Sequence, residues 1–596
     1  MEEHWGKVQE GYEREGGPNT GCSYYPCHFQ GQDCTWCFCP LYPCLDPRLG
    51  SFVTSRKGDQ VWSCQDCYWI HRPDVASQLK DRLPPGPRPS DDRLHAIKRG
   101  VEERSVALGR PIMVMGATSG AGKTLLVAAL CRILSDLGYR VAPFKSQNMS
   151  LNSTVTARGE EISRAQALQA LAARVEPEAH MNPVLLKPKK DNLSQVIVRG
   201  RPFRDMDVPT YYSEFTTTIG PDIVRESYHH LQRRFDAIVI EGAGSPAEIN
   251  IADRDLANLR TAEIADAPCI LVVNIEWGGA FAYIVGTLML LTPEQRARFK
   301  GVLINNMYGD PSGLGRGIEE VEKLTGVPVL GVIPHIDHAL PDEDSQDIAS
   351  KDNGGLRIGV VRLPHISNFT DFDALELEKG TSVLFVDDPA TLSRMDAIIL
   401  PGSKNTVSDL GWLKERGLDK VILSRRGEAP IVGVCGGYQM LGRIICDPHG
   451  LEGDEGGTMD ALGLLDATTV FDTYDKRTVQ VEGCLACGEG RVRGYEIHMG
   501  RTETSEAPLF LLDDPKGLRG EGSRSGDGMV MGSYMHGLFD LPPFRRHLLS
   551  LASRGEARGE ELDYEREVEA SIARLAEMVR RSIDVPRLLR VTGVGK

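Results

Sequence analysis

"PIMVMGATSGAGKTLLVAALCRILSDLGYRVAPF" (111–144) holds three patterns in a row. An apolar run enters a glycine-rich loop, a helical stretch follows, and a second apolar run closes the unit. That order reads as strand, loop, helix, turn, strand, the context in which a phosphate loop works. Five residues separate Gly116 from Gly122, one more than the standard loop has, so this loop is a variant. Its backbone N–H groups and the helix N-terminus suit phosphate oxygens. Lys123 is expected to reach the β- and γ-phosphates of ATP, and Thr124 to ligate Mg2+.

Further along, "FDAIVIEGAG" (235–244), "APCILVVNI" (267–275) and "KGVLINNM" (300–307) are short apolar runs ending in polar residues or glycine. They alternate with helical segments, which predicts an α/β domain with a parallel sheet covered by helices. Glu241 ends one run, where a strand-end acid meets the same Mg2+. Asn305 ends another, where it reads a nucleotide base or caps a loop. Asp253 and Asp255, in "NIADRD", are weaker acid candidates.

A polar gap, "PDEDSQDIASKDNGG" (341–355), precedes a second series of strands. Within it, "IVGVCGGYQMLG" (431–442) carries an apolar run into Cys435, two glycines and a helical pattern. This is the layout of a nucleophile elbow. The helix start favours thiolate, and the N–H of Gly436, with one near "PGS" at Gly402, suits an oxyanion. A thiol nucleophile needs a base. His536, in "GSYMHGLFD", is preferred because it follows a short apolar strand late in the domain; His498, in "GYEIHMGRTE", competes with it.

The 596 residues carry a net charge of −15, with 41% hydrophobic and 25% charged residues. So acidic a chain is a poor general binder of nucleic acid. The N-terminal segment lacks the apolar core of a secretory signal, and no apolar run approaches the roughly 20 residues of a membrane span. A cytoplasmic protein with reduced thiols is expected. Of its 14 cysteines, Cys22, Cys27, Cys34, Cys37, Cys39, Cys44, Cys64 and Cys67 precede residue 70. With His71 they predict structural Zn2+, with an iron–sulfur cluster as the alternative.

The ordered set "APFKSQNMSLNS" (142–153), "EISRAQALQALAA" (161–173), "MNPVLLKP" (181–188), "SQVIV" (194–198), "EGAGSPAEIN" (241–250), "LPGSKNT" (400–406), "GYEIHMGRTE" (494–503) and "HGLFD" (536–540) resembles cobyric acid synthase. The resemblance runs from about 111 to 590. It implies a dethiobiotin-synthetase-like P-loop domain (111–345) and a class I glutamine amidotransferase-like domain (356–555). A cysteine-rich metal-binding domain (18–80) and a linker (81–110) precede them, and a helical tail (556–596) follows. It also implies the reaction: ATP- and glutamine-dependent amidation, through acyl phosphates, of the b, d, e and g carboxylates of adenosylcobyrinic acid a,c-diamide. Lys145 matches a basic residue near the phosphates in the related dethiobiotin synthetase, and Asp255 matches a family acid of the synthetase site. The family lacks the usual third acid of class I glutaminases, and Leu538 stands here where that acid would be. A corrinoid and glutamine are the implied substrates. A homo-oligomer, and a protein partner for the cysteine-rich block, are left open.

The chain departs from the family at "NIEWGG" (274–279) and "NNMYGD" (305–310), where Asn274, Glu276, Trp277, Asn306 and Tyr308 replace charged or shorter residues. The rivals are cobyrinic acid a,c-diamide synthase, a glutamine-dependent amidase of cell-wall lipid precursors, and a P-loop partitioning ATPase with no glutaminase activity.

Overall fold

The computed structural model describes residues 2–594 apart from 15, 18, 20, 24–31, 47–50, 55–58, 65–68, 72, 84, 105–108, 191, 337–339, 341–353, 453–455, 489 and 556–561. Most of the acidic gap at 341–355 therefore lies outside the described residues, as do Cys27 and Cys67.

The first α/β unit is built on β1 (Arg110–Gly116), α1 (Lys123–Asp136), β2 (Val141–Phe144), β3 (Ala237–Glu241), β4 (Cys269–Asn274), β5 (Phe299–Met307) and β6 (Val329–Pro334). The strands form one sheet in the order β6-β5-β4-β1-β3-β2. Every pairing in it is parallel. Helices cover both faces, so the strands are apolar throughout: β3 and β4 are buried at every residue. β1 sits between β4 and β3, and the loop leaving it opens at the carboxyl ends of the strands, where ligands bind in open α/β sheets.

The second unit has β7 (Leu356–Val361), β8 (Thr381–Val386), β9 (Ala397–Leu400), β10 (Ile431–Val434), α2 (Gly436–Leu441) and β11 (Val530–Ser533). These strands run parallel in the order β8-β7-β9-β10-β11. A short antiparallel strand, Ser523–Arg524, closes the β11 edge.

The C-terminal helix α3 (Tyr564–Ser582) is no detached tail. Its apolar stripe, Val568, Ile572, Leu575, Ala576 and Val579, is buried in a core shared by both units. It lies along α1, where the buried Arg132 gives Glu569 a bidentate pair at 2.5 and 2.8 Å.

The stretch read as a linker, 81–110, contains a helix, Asp91–Arg104. Its proline-rich start misleads, because the apolar spacing of Leu94 and Val101 buries one face in the N-terminal core with Trp36, Trp69 and Leu79. That core rests on the first unit: a Cβ on Gly138 would fall 2.7 Å from the Trp69 backbone.

Candidate active sites

The phosphate loop has the expected shape. Gly120 and Gly122 take positive φ, 66° and 85°, which admits glycine and strains other residues. A Cβ on Gly122 would fall 2.1 Å from the Asn305 amide nitrogen. That amide donates to the Ala121 carbonyl at 3.1 Å, so Asn305 pins the loop in this structure. Trp277, 57% exposed, lays its ring against Gly120.

Behind the loop, Glu241 is fully buried. Its Oε1 accepts from Thr124 Oγ1 at 2.9 Å and from Lys145 Nζ at 2.7 Å. Its Oε2 accepts from Gln169 Nε2 at 2.5 Å. Sequence reasoning missed Gln169, whose only signal was its place in "EISRAQALQALAA". A hydroxyl and a carboxylate in contact are a donor set that fits Mg2+. Asp255 lines a cleft of about 270 Å3 with Asp253, Arg254 and Arg260. Burial raises its carboxyl above the ordinary range, while the N–H groups of Ala257 and Asn258 work against that shift.

Cys435 occupies a sharp turn between β10 and α2. Its φ of 51° and ψ of −108° lie in a strained region for a side-chain-bearing residue. The turn is possible because its neighbours lack side chains: a Cβ on Gly437 would sit 2.0 Å from the Leu400 carbonyl oxygen. Gly436 faces Ser403 across a close backbone approach, and Gly402 lies against the Cε1 edge of His536.

His536 and His498 both line the Cys435 pocket, but their surroundings differ. His498 stacks on Tyr534, with ring centroids 3.7 Å apart. Its Nδ1 faces the carbonyls of Met499 and Gly500, and burial lowers its pKa to about 4. His536 stacks on Tyr495, and its Nδ1 lies 2.7 Å from Asp371 Oδ2. Burial alone lowers the His536 pKa; the Asp371 carboxylate and the Cys435 sulfur outweigh it and raise the value to about 10.

The place two residues after His536 holds no acid, as expected, yet a carboxylate does reach His536. Leu538 is indeed buried two residues after His536. The carboxylate belongs to Asp371, 165 residues upstream, whose second oxygen accepts from the Gly537 N–H at 2.9 Å.

The two sites are joined. Ser153 N donates to Asn368 Oδ1 at 2.9 Å, and Thr370 Oγ1 to Asn152 Oδ1 at 2.9 Å. Buried Glu161 of the first unit takes Lys187 at 2.7 Å and Lys476 of the second at 2.5 Å. Arg164 faces Asp540 at 3.7 Å. Thus "QNMSLNS", "EISRAQAL" and "HGLFD" meet at one interface.

In the N-terminal block, no three His, Cys, Asp or Glu side chains gather as a metal site among the described residues. His71 is buried with Nδ1 3.0 Å from the Asp33 carbonyl, while Cys37 is exposed and Cys22, Cys39, Cys44 and Cys64 are half-buried. The Cys34 sulfur accepts from Asn19 N at 3.4 Å. The described side chains alone do not assemble the four donors that zinc takes, and Cys27 and Cys67 lie outside the described residues. Nor is any helix of the described residues long and apolar enough to cross a membrane.

Fold and site together define a phosphate-loop nucleotide-binding domain joined to a glutamine amidotransferase domain, the build of a glutamine-hydrolysing amidoligase. Residues 112–346 match the CobQ/CobB/MinD/ParA nucleotide binding domain, and residues 357–544 the CobB/CobQ-like glutamine amidotransferase domain. Residues 14–85 match a cysteine-rich small domain. The chain is 48% identical to the probable cobyric acid synthase of Methanothermobacter thermautotrophicus, over 80% of this chain and 97% of that one. It is 45% identical to the cobyric acid synthase of Photorhabdus laumondii, over 81% and 98%. The chain belongs to the cobyric acid synthase family, the amidating enzymes of cobalamin biosynthesis.

Proposed function

We propose that this chain converts adenosylcobyrinic acid a,c-diamide to adenosylcobyric acid by amidating its b, d, e and g carboxylates with ATP and glutamine. The observation that carries this reading is the docking of a Cys435–His536–Asp371 constellation onto the phosphate-loop unit through the family's own motifs. In the first unit, a substrate carboxylate oxygen attacks the γ-phosphorus, ADP leaves, and an acyl phosphate forms. Lys123 and the loop N–H groups hold the transferring phosphoryl group. Lys145 adds a cation beside it, and Asp255 serves the synthetase site. Thr124 and Glu241 would hold Mg2+, which supplies charge neutralisation on the phosphates. In the second unit, Cys435 thiolate attacks the glutamine amide carbon, with the N–H groups at Gly436 and Gly402 toward the oxyanion. His536 gives its proton to the departing ammonia, and water then releases glutamate from the thioester. The ammonia attacks the acyl phosphate, and inorganic phosphate leaves.

The N-terminal block is read as an accessory outside this chemistry, and its cysteines, with Cys27 and Cys67, as ligands for Zn2+. The reading carries with it a cytoplasmic location. Two measurements test the whole. Cys435→Ala should abolish glutamine-driven amidation and keep ammonia-driven amidation; unchanged glutamine use removes the nucleophile assignment. Product masses from cobyrinic acid and from its a,c-diamide decide the substrate. Amidation of the former alone makes the chain a cobyrinic acid a,c-diamide synthase instead.

A further inference from the structure

The Cys435 pocket holds more charge than amide hydrolysis needs. Lys187, Lys404, Lys476 and Glu452 all line it. Lys187 and Lys476 are accounted for, since both pair with Glu161. Lys404 and Glu452 are not. Lys404 Nζ donates to Gln195 Oε1 at 3.2 Å, a neutral acceptor. Glu452, 8% exposed, accepts from Thr406 N at 3.1 Å and Thr406 Oγ1 at 3.2 Å, both neutral donors. Among the described residues, neither has an oppositely charged hydrogen-bond partner. Glu452 is buried and Lys404 half-buried, and taking such charges out of water is costly when no ionic hydrogen bond holds them. Burial pushes the Lys404 ammonium down and the Glu452 carboxyl up, and their mutual attraction offsets only part of that. One cation and one anion, attracting each other but neither hydrogen-bonded to an opposite charge among the described residues, line the pocket of the same nucleophile and complement a ligand that carries both charges at one end. An α-amino acid does so.

We propose that Lys404 and Glu452 bind the α-carboxylate and the α-ammonium of the glutamine whose side-chain amide is presented to Cys435. The proposal rests on the glutaminase reading and adds the specificity of that site. It also makes the seat a product of both units. Gln195, which orients Lys404, lies on the Leu193–Val198 strand of the first unit. The same Gln195 amide also bonds Tyr474 of the second. Glutamine is then recognised in full only when the two units are docked.

The test uses the full-length enzyme and three amides: glutamine, 4-aminobutanamide, which lacks the α-carboxylate, and 4-carbamoylbutanoic acid, which lacks the α-ammonium. With the wild-type enzyme each truncated amide should show a KM roughly 10- to 100-fold above that of glutamine, the loss expected for one charged hydrogen bond. Lys404→Met should raise the KM for glutamine by a similar factor, with kcat little changed, and leave 4-aminobutanamide unaffected. Glu452→Gln should do the same for glutamine and leave 4-carbamoylbutanoic acid unaffected. Equal KM values for the three amides with the wild-type enzyme overturn the proposal without any variant. A rise that is the same for all three amides in both variants also overturns it, because the charges then only support the pocket. Cys435→Ala separates the two levels. If it keeps glutamine use, the glutaminase reading fails; if it loses glutamine use while Lys404→Met keeps the wild-type KM, only the seat proposed here fails.

Discussion

Asp371 Oδ2 lies 2.7 Å from Nδ1 of His536, and both side chains are buried. The contact leaves the other imidazole nitrogen facing away from the acid, and His536 lines the Cys435 pocket. Asp371→Asn keeps the shape and removes the charge. Glutamine-driven turnover should fall about 10²- to 10⁴-fold, as in other triads that lose their acid. Ammonia-driven turnover should persist. Equal loss of both activities would mean that Asp371 only supports the fold.

The same pair sets a pH signature. The His536 value is raised to about 10 in the folded protein, against about 6.5 in an unfolded chain. A raised value contributes stability that is fully present below about pH 6.5 and is lost as pH climbs through about 10. The melting temperature of the parent should therefore exceed that of Asp371→Asn most below pH 6.5, and the gap should narrow steadily toward pH 10. A pH-independent gap between the two, followed by calorimetry from pH 6 to 10, would contradict the ion pair.

Glu161 is the hinge of the interface, because two buried lysines from different units share it. Those cations hold its carboxyl well below the ordinary range despite its burial. A lowered value contributes stability above the unfolded value and gives it up only as pH falls through the folded one. Glu161→Gln would leave Lys187 and Lys476 close together without a carboxylate. Breaking a buried pair in this way costs about 3–5 kcal/mol, visible as a lower denaturant midpoint at neutral pH. Lys476→Met added to Glu161→Gln should recover part of that loss, since it removes one of the stranded charges.

Much of the fold was legible because its signals are local. β1 and β10 are apolar runs that stop at glycine-flanked turns, and a strand-to-helix turn leaves that mark wherever it occurs. Cys435 and Thr124 stand out in the sequence for the same reason. Asp371 does not, since its meeting with His536 is set by how the Phe369–Phe372 turn packs against a strand 165 residues later, and no spacing encodes that. Gln169 and Glu161 hid likewise within motifs recognised as whole strings. The 81–110 stretch misled in the opposite sense: "PPGPRP" is a real break, but the helix after it has its apolar face three and four residues apart.

Gly437→Ala tests the elbow geometry. Its added Cβ would meet the Leu400 carbonyl oxygen at 2.0 Å, and backbone on both sides cannot yield cheaply. Overpacking of this kind costs about 1–3 kcal/mol or more. The second unit should lose stability, and glutamine use should fall further than stability alone explains, because Cys435 shares the turn. A variant with the parent's midpoint and the parent's glutamine KM would show that the turn relaxes freely.

At the other site, Glu241 is satisfied by Lys145, Thr124 and Gln169, so a metal ion there must compete with a lysine. Lys145→Met removes the cation and leaves a buried carboxylate without a charged partner. Without nucleotide or Mg2+ the variant should be about 3–5 kcal/mol less stable than the parent. Mg2+ then gains at its expense: added with a non-hydrolysable ATP analogue, it should raise the denaturant midpoint of the variant by more than that of the parent, since binding to the folded state alone adds stability. ATP-dependent turnover should stay low even when stability is restored, because the cation beside the phosphates is gone. If Mg2+ and nucleotide raise both midpoints equally, Glu241 is no metal ligand and its contact with Lys145 is structural.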